Sequence, residues 1–487
     1  MSSLETAQEP QALRRVAIEP VTRVEGHGKV TILLDEDNHV HQVRLHIVEF
    51  RGFEAFIEGR PYTEVPVTVQ RLCGICPVSH HLAAAKAMDI VAGYGPLTPT
   101  AEKLRRLLHY GQIVQSHALH FFLLASPDLL LGFESEVAKR NIVGVAAAFP
   151  DLAKQGILTR KYGQEVIRHI VGKRIHGTGC IPGGMNKALT TAERDLLRGE
   201  IDQIVAWSRE AIGLARRLHE TQPEFYGRFG ESRANMMGLV DADGGLDFYN
   251  GGLRAKDADG KTIFDHVDPS TYRKLLGEQI KSWSYMKFPY IRSLGAENGW
   301  YRVGPLARVQ IADFLPSPQA EEERKTFRAA SGGKPVHGAL LTHWARLIEM
   351  LCAAELLRDL LDDADIVGAD LMADKGPMRE EGIGVIEAPR GTLIHHYRVN
   401  GDGLVSFCNL IVSTTNNNQA MNEAIRSVAT QFIDGRELTE GLLNHIEVAL
   451  RAYDPCLSCA THALGEMPLE VELVDADGAL VSRARKG

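Results

Sequence analysis

The feature that most constrains this chain is a pair of Cys-x-x-Cys segments, one near each end. Cys73 and Cys76 form the first pair, Cys456 and Cys459 form the second, and 379 residues separate Cys76 from Cys456. Four thiolates are a ligand set that zinc, iron-sulfur clusters and other thiophilic metals prefer. If both pairs bind one metal centre, the fold must bring the two ends of a 487-residue chain together.

Cysteine spacing alone favours a structural zinc site, but two observations count against one. Structural zinc modules usually hold their two cysteine pairs about 15–20 residues apart in one small unit. Here the pairs are much farther apart, and Arg71 and His462 flank them although a structural zinc site needs neither. At this level zinc and a redox-active metal both remain open.

Composition restricts the class of protein. With 44% hydrophobic and 24% charged residues, the chain is typical of a globular protein with a large core. The net charge of -8 argues against nucleic acid as a partner, because phosphate binding needs clustered Lys and Arg. Residues 1–15 contain no apolar stretch and no long apolar run follows, so we expect neither an export signal nor a membrane span.

Cysteine usage indicates the compartment. Besides the two pairs, the chain has only three scattered cysteines, Cys180, Cys352 and Cys408, which is not the pattern of a disulfide framework. We therefore expect a reducing compartment, most simply the cytoplasm.

Residue patterns predict a mainly α fold, namely a large helical bundle with a small N-terminal β-sheet (α+β). β-Branched residues predict strands at 16–18, 30–34 and 40–48, with a turn at 35–38. Apolar residues recur at helical spacing in four segments, which are 100–124, 190–218, 340–361 and 439–453. No linker rich in Pro, Ser or Gly divides the chain, so we expect residues 1–65 and 66–462 to form one compact unit.

Two short patterns predict where helices begin and end. Thr190 with Glu193 is a capping-box pattern, which places a helix start at this point. Asp454-Pro455 is predicted to end the last helix directly before the second cysteine pair, because a residue that precedes proline is disfavoured in helical geometry.

Taken together, the motifs resemble the large subunit of nickel-iron hydrogenases. Six segments carry the resemblance and follow the family order along the chain: VTRVEGH at 21–27, RGFE at 51–54, RLCGIC at 71–76, EAPRG at 387–391, LIVSTT at 410–415 and DPCLSCATH at 454–462. So many independent motifs in register outweigh the zinc interpretation. The amino-acid sequences of 454–462, 49–54 and 286–290 are most similar to those of the cytoplasmic NAD-reducing branch.

The resemblance implies that the cysteines bind nickel and an iron carrying carbonyl and cyanide ligands. Cys73 and Cys456 are then terminal nickel ligands, and Cys76 and Cys459 bridge the two metals. The implied reaction is the reversible, heterolytic splitting of H2 into a hydride and a proton. Cys456 is the implied proton acceptor and Glu25 the implied relay, although Glu25 alone would read as an ordinary strand-end carboxylate.

Further residues are implied to surround the centre. Arg390 and Thr414 would donate hydrogen bonds to a cyanide, because a buried anion needs such partners. Asp128 and Asp454 would hold Arg390 in place. His80 would form a hydrogen bond with a bridging sulfur, although a core or surface histidine explains the position nearly as well.

A magnesium ion and a removable tail are also implied. Glu54, the carbonyl of Leu410 and His462 occupy the family's magnesium positions, and oxygen-rich ligation suits this ion. Residues 463–487 would be an extension that an endopeptidase removes after His462 once nickel is in place. Alternatively, the alternating run 469–474 predicts a C-terminal strand of the mature fold.

The sequence contains no further cysteine set for an iron-sulfur cluster and no dinucleotide-binding Gly-x-Gly-x-x-Gly segment after a strand. The resemblance therefore implies that electrons leave through an iron-sulfur small subunit, then through a flavin-bearing diaphorase that reduces NAD+. Two other functions fit less well. A hydrogen sensor is disfavoured, since such sensors generally lack the 463–487 extension, and the related quinone-site subunit of respiratory complex I lacks the metal cysteines.

Overall fold

The computed structural model describes residues 13–49, 52–461, 469–474 and 480–486, the last two segments as backbone only. Helix accounts for about 51% of the chain and strand for about 19%. The prediction of a mainly α fold with one small sheet is therefore right only in part, because the described residues form further sheets beyond the N-terminal one.

Within the described segments, the strands are Arg14–Ile18, Gly28–Leu34, Val40–Ile47, Cys180–Ile181, Gly184–Met185, Asn235–Val240, Gly252–Lys256, Thr262–Val267, Leu276–Gln279, Phe288–Ile291, Tyr301–Arg302, Glu381–Ala388, Gly391–Val399, Val405–Ile411, Leu469–Val474 and Leu480–Lys486. The α-helices of the same segments are Phe53–Ile57, Val65–Thr68, Pro77–Val91, Pro99–Ala118, Ser126–Leu131, Ile142–Ala148, Pro150–Val171, Thr191–Thr221, Pro223–Arg228, Tyr272–Leu275, Gly295–Asn298, Pro305–Ile311, Pro318–Ala330, Leu341–Asp362, Ser413–Asn416, Asn418–Phe432, Glu440–Tyr453 and Leu457–Ala460.

The predicted N-terminal sheet is confirmed. Its three strands, Arg14–Ile18, Gly28–Leu34 and Val40–Ile47, pair antiparallel in that order. The turn between the last two strands forms because the Asp35 carboxylate accepts the backbone N–H of Asp37 at 3.0 Å and of His39 at 2.8 Å.

The four predicted helical segments are also confirmed. The Thr191–Thr221 helix begins at the predicted capping box, in which the Glu193 amide donates to the Thr190 hydroxyl at 3.2 Å and the Thr190 amide donates to the Glu193 carboxylate at 3.0 Å. The Pro99–Ala118 helix continues into a wider π-helical turn, Leu119–Ala125. The Glu440–Tyr453 helix ends at Asp454, whose φ of 54° is left-handed.

The helix that directly follows the first cysteine pair was not predicted. Pro77–Val91 starts directly after Cys76 and is buried on most of its surface against the antiparallel strands Glu381–Ala388 and Gly391–Val399. A helix that is buried on nearly all sides has no polar face, so its sequence lacks the amphipathic period that reveals a surface helix. The three-stranded sheet formed by these strands and Val405–Ile411 was missed as well.

A segment near the N-terminus meets the segment of the second cysteine pair in the core. Glu25 and Cys456 form a parallel β-bridge, and the Leu457 amide donates to the Glu25 carbonyl at 2.9 Å. This bridge places the second cysteine pair against the N-terminal segment. Across the described part of the chain, no helix combines the length and the apolar character that crossing a membrane requires.

Candidate metal centre

Four buried thiols converge where the two ends of the chain meet. Their Sγ atoms all lie within 4.8 Å of one another. The shorter separations are 2.8 Å for Cys456–Cys459, 3.3 Å for Cys73–Cys456, 3.6 Å for Cys76–Cys459 and 4.0 Å for Cys76–Cys456. This confirms the expectation that both pairs face one centre.

The first pair is positioned by its own loop. Cys73 follows a short 3-10 helix, and its Sγ accepts the backbone N–H of Ile75 at 3.1 Å and of Cys76 at 3.3 Å. Cys76 is the N-cap of the Pro77–Val91 helix, whose N-terminal partial charge favours a thiolate. The hydrogen bonds to the Cys73 sulfur therefore come from the loop itself.

The second pair is positioned by side chains from elsewhere in the chain. The Cys456 amide donates to the Thr414 hydroxyl at 3.0 Å, and the Ser458 amide donates to the Glu25 carboxylate at 3.1 Å. Gly26 has a φ of 81°, and an added Cβ would lie 2.6 Å from the Ser458 nitrogen. Only glycine allows so close an approach of these two segments.

Glu25 touches a thiol directly. The Cys456 Sγ donates to the same Glu25 Oε2 that accepts the Ser458 amide, at 3.1 Å. Glu25 is half-buried, so its carboxylate reaches from the thiols toward solvent. The predicted proton acceptor and the predicted relay are thus in contact.

The electrostatics of the cluster fit a bound cation. Burial raises the pKa of the Cys456 and Cys459 thiols well above the usual range, whereas hydrogen bonds from Cys456 and then Cys459 lower the pKa of Cys76. Four buried sulfurs this close cannot all be anionic unless a positive charge compensates them. A thiophilic metal ion supplies that charge, so the donor set fits the metal that the sequence implies.

Arg390 places a second positive group beside the thiols. Its Nε donates to the Asp454 carbonyl at 2.5 Å and its Nη2 to the Asp454 carboxylate at 2.9 Å, while Nη1 lies 3.4 Å from the Ser116 hydroxyl. Burial alone would lower the pKa of Arg390, but Asp454 and then Cys456 raise it well above its usual value. The predicted Asp454–Arg390 contact is present, and Ser116 was not predicted.

The prediction that Asp128 also holds Arg390 is wrong. The two carboxylate oxygens of Asp128 accept from Arg23 at 2.5 Å and from Arg451 at 2.9 Å. Asp128 therefore joins the N-terminal segment to the Glu440–Tyr453 helix. With both oxygens occupied by these guanidinium groups, its carboxylate belongs to a structural network behind the thiols.

A small cavity lies between Arg390 and the thiols. Its volume is about 10 Å³, and it is lined by Cys76, Ser79, His80, Ala388, Pro389, Arg390, Leu393, Val412, Ser413, Thr414 and Cys456. Arginine and hydroxyl donors thus share one pocket with two of the thiols. The lining is otherwise largely apolar, which suits small buried ligands held by a few hydrogen bonds.

His80 connects Cys76 to a chain of buried polar groups. His80 makes a smaller contribution than the neighbouring thiols to the lowered pKa of Cys76. Its Nδ1 lies 3.1 Å from His395 Nε2, and His395 Nδ1 lies 2.7 Å from the Tyr397 hydroxyl. His395 and Tyr397 were missed, because strand residues more than 300 positions away carry no local signal for this contact.

The sequence of the chain is similar to those of known hydrogenases. Residues 51–135 and 246–462 match the family described as nickel-dependent hydrogenase, and residues 15–50 match one described as HoxL-like. The beta subunit of the NAD-reducing hydrogenase HoxS from Cupriavidus necator is 47% identical, over 97% of this chain and 100% of that subunit. The chain belongs to the nickel-dependent hydrogenase family.

Further relatives agree with this family. The corresponding chain of the vhc F420-non-reducing hydrogenase of Methanococcus voltae is 42% identical, over 94% of this chain and 96% of its own length. A crystal structure of an NAD+-reducing [NiFe]-hydrogenase in the H2-reduced state has a TM-score of 0.91 and 57% identity, covering 93% of this chain and 100% of that one. A [NiFeSe]-hydrogenase from Dm. baculatum, at TM-score 0.74 and 21% identity over 92% and 100%, shares the fold. This chain is a nickel-iron hydrogenase large subunit.

Two of the three residues predicted to bind magnesium in this hydrogenase lie side by side. The Glu54 carboxylate accepts the Leu410 amide at 3.2 Å, and Leu410 pairs with His395 in the buried sheet. His462, the third predicted ligand, lies outside the described residues, as does Arg51 of the RGFE motif.

Two glutamines of the hydrogenase were missed by sequence reasoning. Gln112 and Gln115, on the Pro99–Ala118 helix, donate to the Ile75 carbonyl at 3.0 and 2.8 Å. They clamp the loop between the first two cysteines. Two polar residues on a predicted helix read as surface positions, so no local pattern indicated this role.

Proposed function

We propose that this hydrogenase large subunit splits H2 and passes the electrons to NAD+ through partner subunits. The convergence of four thiols with the Glu25 carboxylate, 3.1 Å from Cys456, carries the catalytic part of this proposal. The match to the NAD-reducing hydrogenase of Cupriavidus necator along nearly the whole chain supports NAD+ as the acceptor. The partners would be flavin-bearing diaphorase subunits together with an iron-sulfur small subunit.

We propose that Cys73 and Cys456 would hold nickel, and that Cys76 and Cys459 would hold nickel together with an iron that would carry carbonyl and cyanide. When bound, this centre supplies a redox-active Lewis acid that polarises H2. The chain contributes the buried, water-poor surroundings, in which a charge that develops on sulfur is felt strongly. Burial of all four cysteines supports this role.

The proton of H2 is proposed to leave through Cys456 and Glu25. A thiolate at Cys456 accepts it, and the carboxylate oxygen at 3.1 Å takes it from the sulfur without any backbone movement. Since Glu25 is half-buried, it then releases the proton toward solvent. The Ser458 amide, which donates to the same carboxylate oxygen, keeps that oxygen in place.

Arg390 and Thr414 are proposed to hold the cyanide ligands in the small cavity. The Thr414 oxygen already accepts the Cys456 amide, so its own hydroxyl hydrogen is available to donate into the cavity. Arg390 is fixed by Asp454 with its guanidinium at the same wall. His80 is proposed to support the Cys76 sulfur.

Magnesium is proposed to bind beside this centre through Glu54, the Leu410 carbonyl and His462. The contact between Glu54 and the Leu410 amide supports the closeness of two of these groups. Hard oxygen ligands match the preference of this ion.

The chain is proposed to comprise a strand-rich segment, 1–65, a helical catalytic body, 66–462, and an extension, 463–487, that a maturation endopeptidase removes. The backbone of the extension includes a hairpin, Leu469–Val474 paired with Leu480–Lys486. A removable extension can form such a hairpin, so the predicted strand and the predicted cleavage are compatible. We assign the enzyme to the cytoplasm, where thiols stay reduced.

Metal analysis and infrared spectroscopy of the purified complex test this proposal. Nickel and iron, together with carbonyl and cyanide stretching bands, are the expected result, and zinc alone would contradict it. The acceptor is tested separately by H2-dependent NAD+ reduction. The assembled complex should reduce NAD+, and a large subunit that does so alone would contradict the assigned partners.

A further inference from the structure

Arg308 lies fully buried on the Pro305–Ile311 helix and uses all five of its N–H donors. Nε and Nη2 donate to the two oxygens of Glu349, each at 2.6 Å. Nη1 donates to Glu387 at 2.8 Å and to the Ala388 carbonyl at 2.7 Å. Nη2 also donates to the Pro389 carbonyl at 3.1 Å, so no donor of this planar fork is left over.

The carboxylates that hold Arg308 are themselves anchored. Glu349, on the Leu341–Asp362 helix, lies 3.2 Å from His117 Nε2. Glu387 accepts the Leu239 amide at 3.0 Å and the Thr392 hydroxyl at 2.7 Å. A buried guanidinium that is bonded on every side is a rigid point in the core, because moving it would leave charged groups unpaired.

The two carbonyls that accept hydrogen bonds from Arg308 belong to Ala388 and Pro389, the residues directly before Arg390. Ala388 and Pro389 also line the cavity beside the thiols. Proline has no N–H of its own, so the Pro389 backbone can be held only through its carbonyl. On the far side of Arg390, Gly304 packs so closely that an added Cβ would lie 2.7 Å from the Arg390 carbonyl oxygen.

We propose that Arg308 is a positioning residue, which fixes the Ala388–Pro389 backbone and thereby sets where the Arg390 guanidinium stands over the cavity. Asp454 fixes the other end of Arg390, so the arginine is held at its backbone and at its tip. Arg308 does not line the cavity, so it acts only through the residues it holds. This inference rests on the proposed function, in which Arg390 donates to a cyanide ligand.

Arg308→Lys tests the proposal. A lysine ammonium retains the positive charge and can pair with one carboxylate, but it cannot span two carboxylates and two carbonyls as the guanidinium fork does. We expect nickel and iron to remain bound, the cyanide stretching bands to shift, and kcat to fall by about 10- to 100-fold, as for other groups that orient the ligands of a metal. The KM for H2 should be unchanged, because Arg308 does not face the substrate.

Arg105→Lys is the matched control. Arg105 is also fully buried, pairs with a carboxylate, Asp89, at 2.6 Å, and donates to two carbonyls, Ile181 at 2.9 Å and Gly184 at 3.1 Å. None of these partners lines the cavity. Its replacement should lower stability in the same way as Arg308→Lys and leave the cyanide bands and kcat as in the unaltered enzyme.

The outcomes test the positioning role of Arg308 and the proposed function separately. Unshifted cyanide bands in Arg308→Lys, or an equal shift in Arg105→Lys, would overturn the positioning role. If Arg308→Lys fails to fold, Glu349→Gln loosens the same guanidinium more gently. A smaller shift of the bands would then support the role, and no shift would overturn it. Absence of cyanide bands from the unaltered complex would instead contradict the proposed function.

Discussion

The two cysteine pairs are held in place by different means. Cys73 accepts hydrogen bonds from two amides of its own loop, and Cys76 caps a 15-residue helix in the core. Cys456 and Cys459 lie at a four-residue helix, Leu457–Ala460, that is bonded to side chains from distant parts of the chain.

The second pair depends more than the first on distant parts of the chain. In the first pair, the hydrogen bonds to the Cys73 sulfur come from neighbouring amides, and Gln112 and Gln115 hold the loop at the Ile75 carbonyl. The second pair is held by Glu25 and Thr414, which lie far from it in sequence. We therefore place both proton exit and final closure of the site at the second pair.

Replacement of any of the four cysteines should have the largest effect on H2 turnover, because both pairs are proposed to bind metal. Cys→Ser at Cys73, Cys76, Cys456 or Cys459 should abolish H2 turnover, because a neutral hydroxyl is a poor substitute for a thiolate at nickel. H2-dependent dye reduction by each purified variant measures this. Normal activity in two of the four variants would refute the ligand assignment. Cys352→Ser, which alters a buried thiol outside the cluster, is the control and should remain active.

Cleavage after His462 should matter for the second pair, because His462 follows that pair directly in sequence. An attached extension should keep His462 from turning toward the proposed magnesium site, whereas the first pair lies far from it in sequence. We expect intact-mass spectrometry of active, nickel-loaded protein to show a chain that ends at His462. A replacement of Ala463 that blocks cleavage should leave the enzyme inactive. An active enzyme that still carries Gly487 would contradict this proposal.

Glu25→Gln separates proton transfer from assembly at the second pair. The amide keeps an oxygen that can accept the Ser458 amide but cannot carry a proton, so nickel and iron should remain while H2/D+ exchange falls by about 10²- to 10⁴-fold. Glu49→Gln is the control, since that carboxylate pairs with His27 at the surface. Loss of metal from Glu25→Gln would show that Glu25 is structural.

The same contrast explains what could be predicted from sequence. Both cysteine pairs, Glu25 and the Asp454–Arg390 contact were predicted, because each belongs to a motif that resembles one of the hydrogenase family. Glu25 by itself would read as an ordinary strand-end carboxylate. Ser116 and Arg308 were missed, since they reach the site from helices whose sequences predict only packing. Asp128 was assigned to the wrong arginine, because a sequence does not show which of several buried cations a carboxylate meets.

The prediction of the fold was limited in a similar way. Strands and helices with one buried face were predicted correctly, as in Val40–Ile47 and Thr191–Thr221. The Pro77–Val91 helix and the sheet beneath it were missed, because an element that is buried on nearly all sides has no alternation of polar and apolar residues. The part of the fold nearest the metal centre is therefore the part that hydrophobic periodicity reveals least.

Replacement of one glycine beside each pair should have the smallest effect. Gly26 adopts a φ of 81°, and a Cβ there would lie 2.6 Å from the Ser458 nitrogen, whereas a Cβ on Gly74 would meet nothing within 4 Å. Gly26→Ala should cost about 1–3 kcal/mol through backbone strain. It should push Glu25 away from the second pair, so that nickel loading falls partly and H2/D+ exchange per loaded site falls by roughly tenfold.

Gly74→Ala is the matched variant, because it adds the same methyl group to the loop of the first pair, where there is open space. Its nickel content and exchange rate should stay close to those of the unaltered enzyme. Equal losses in both variants would show that the first pair also depends on a close approach of distant chain. Equal retention would show that the second pair tolerates movement of Glu25, and the proposed contrast between the pairs would then fail.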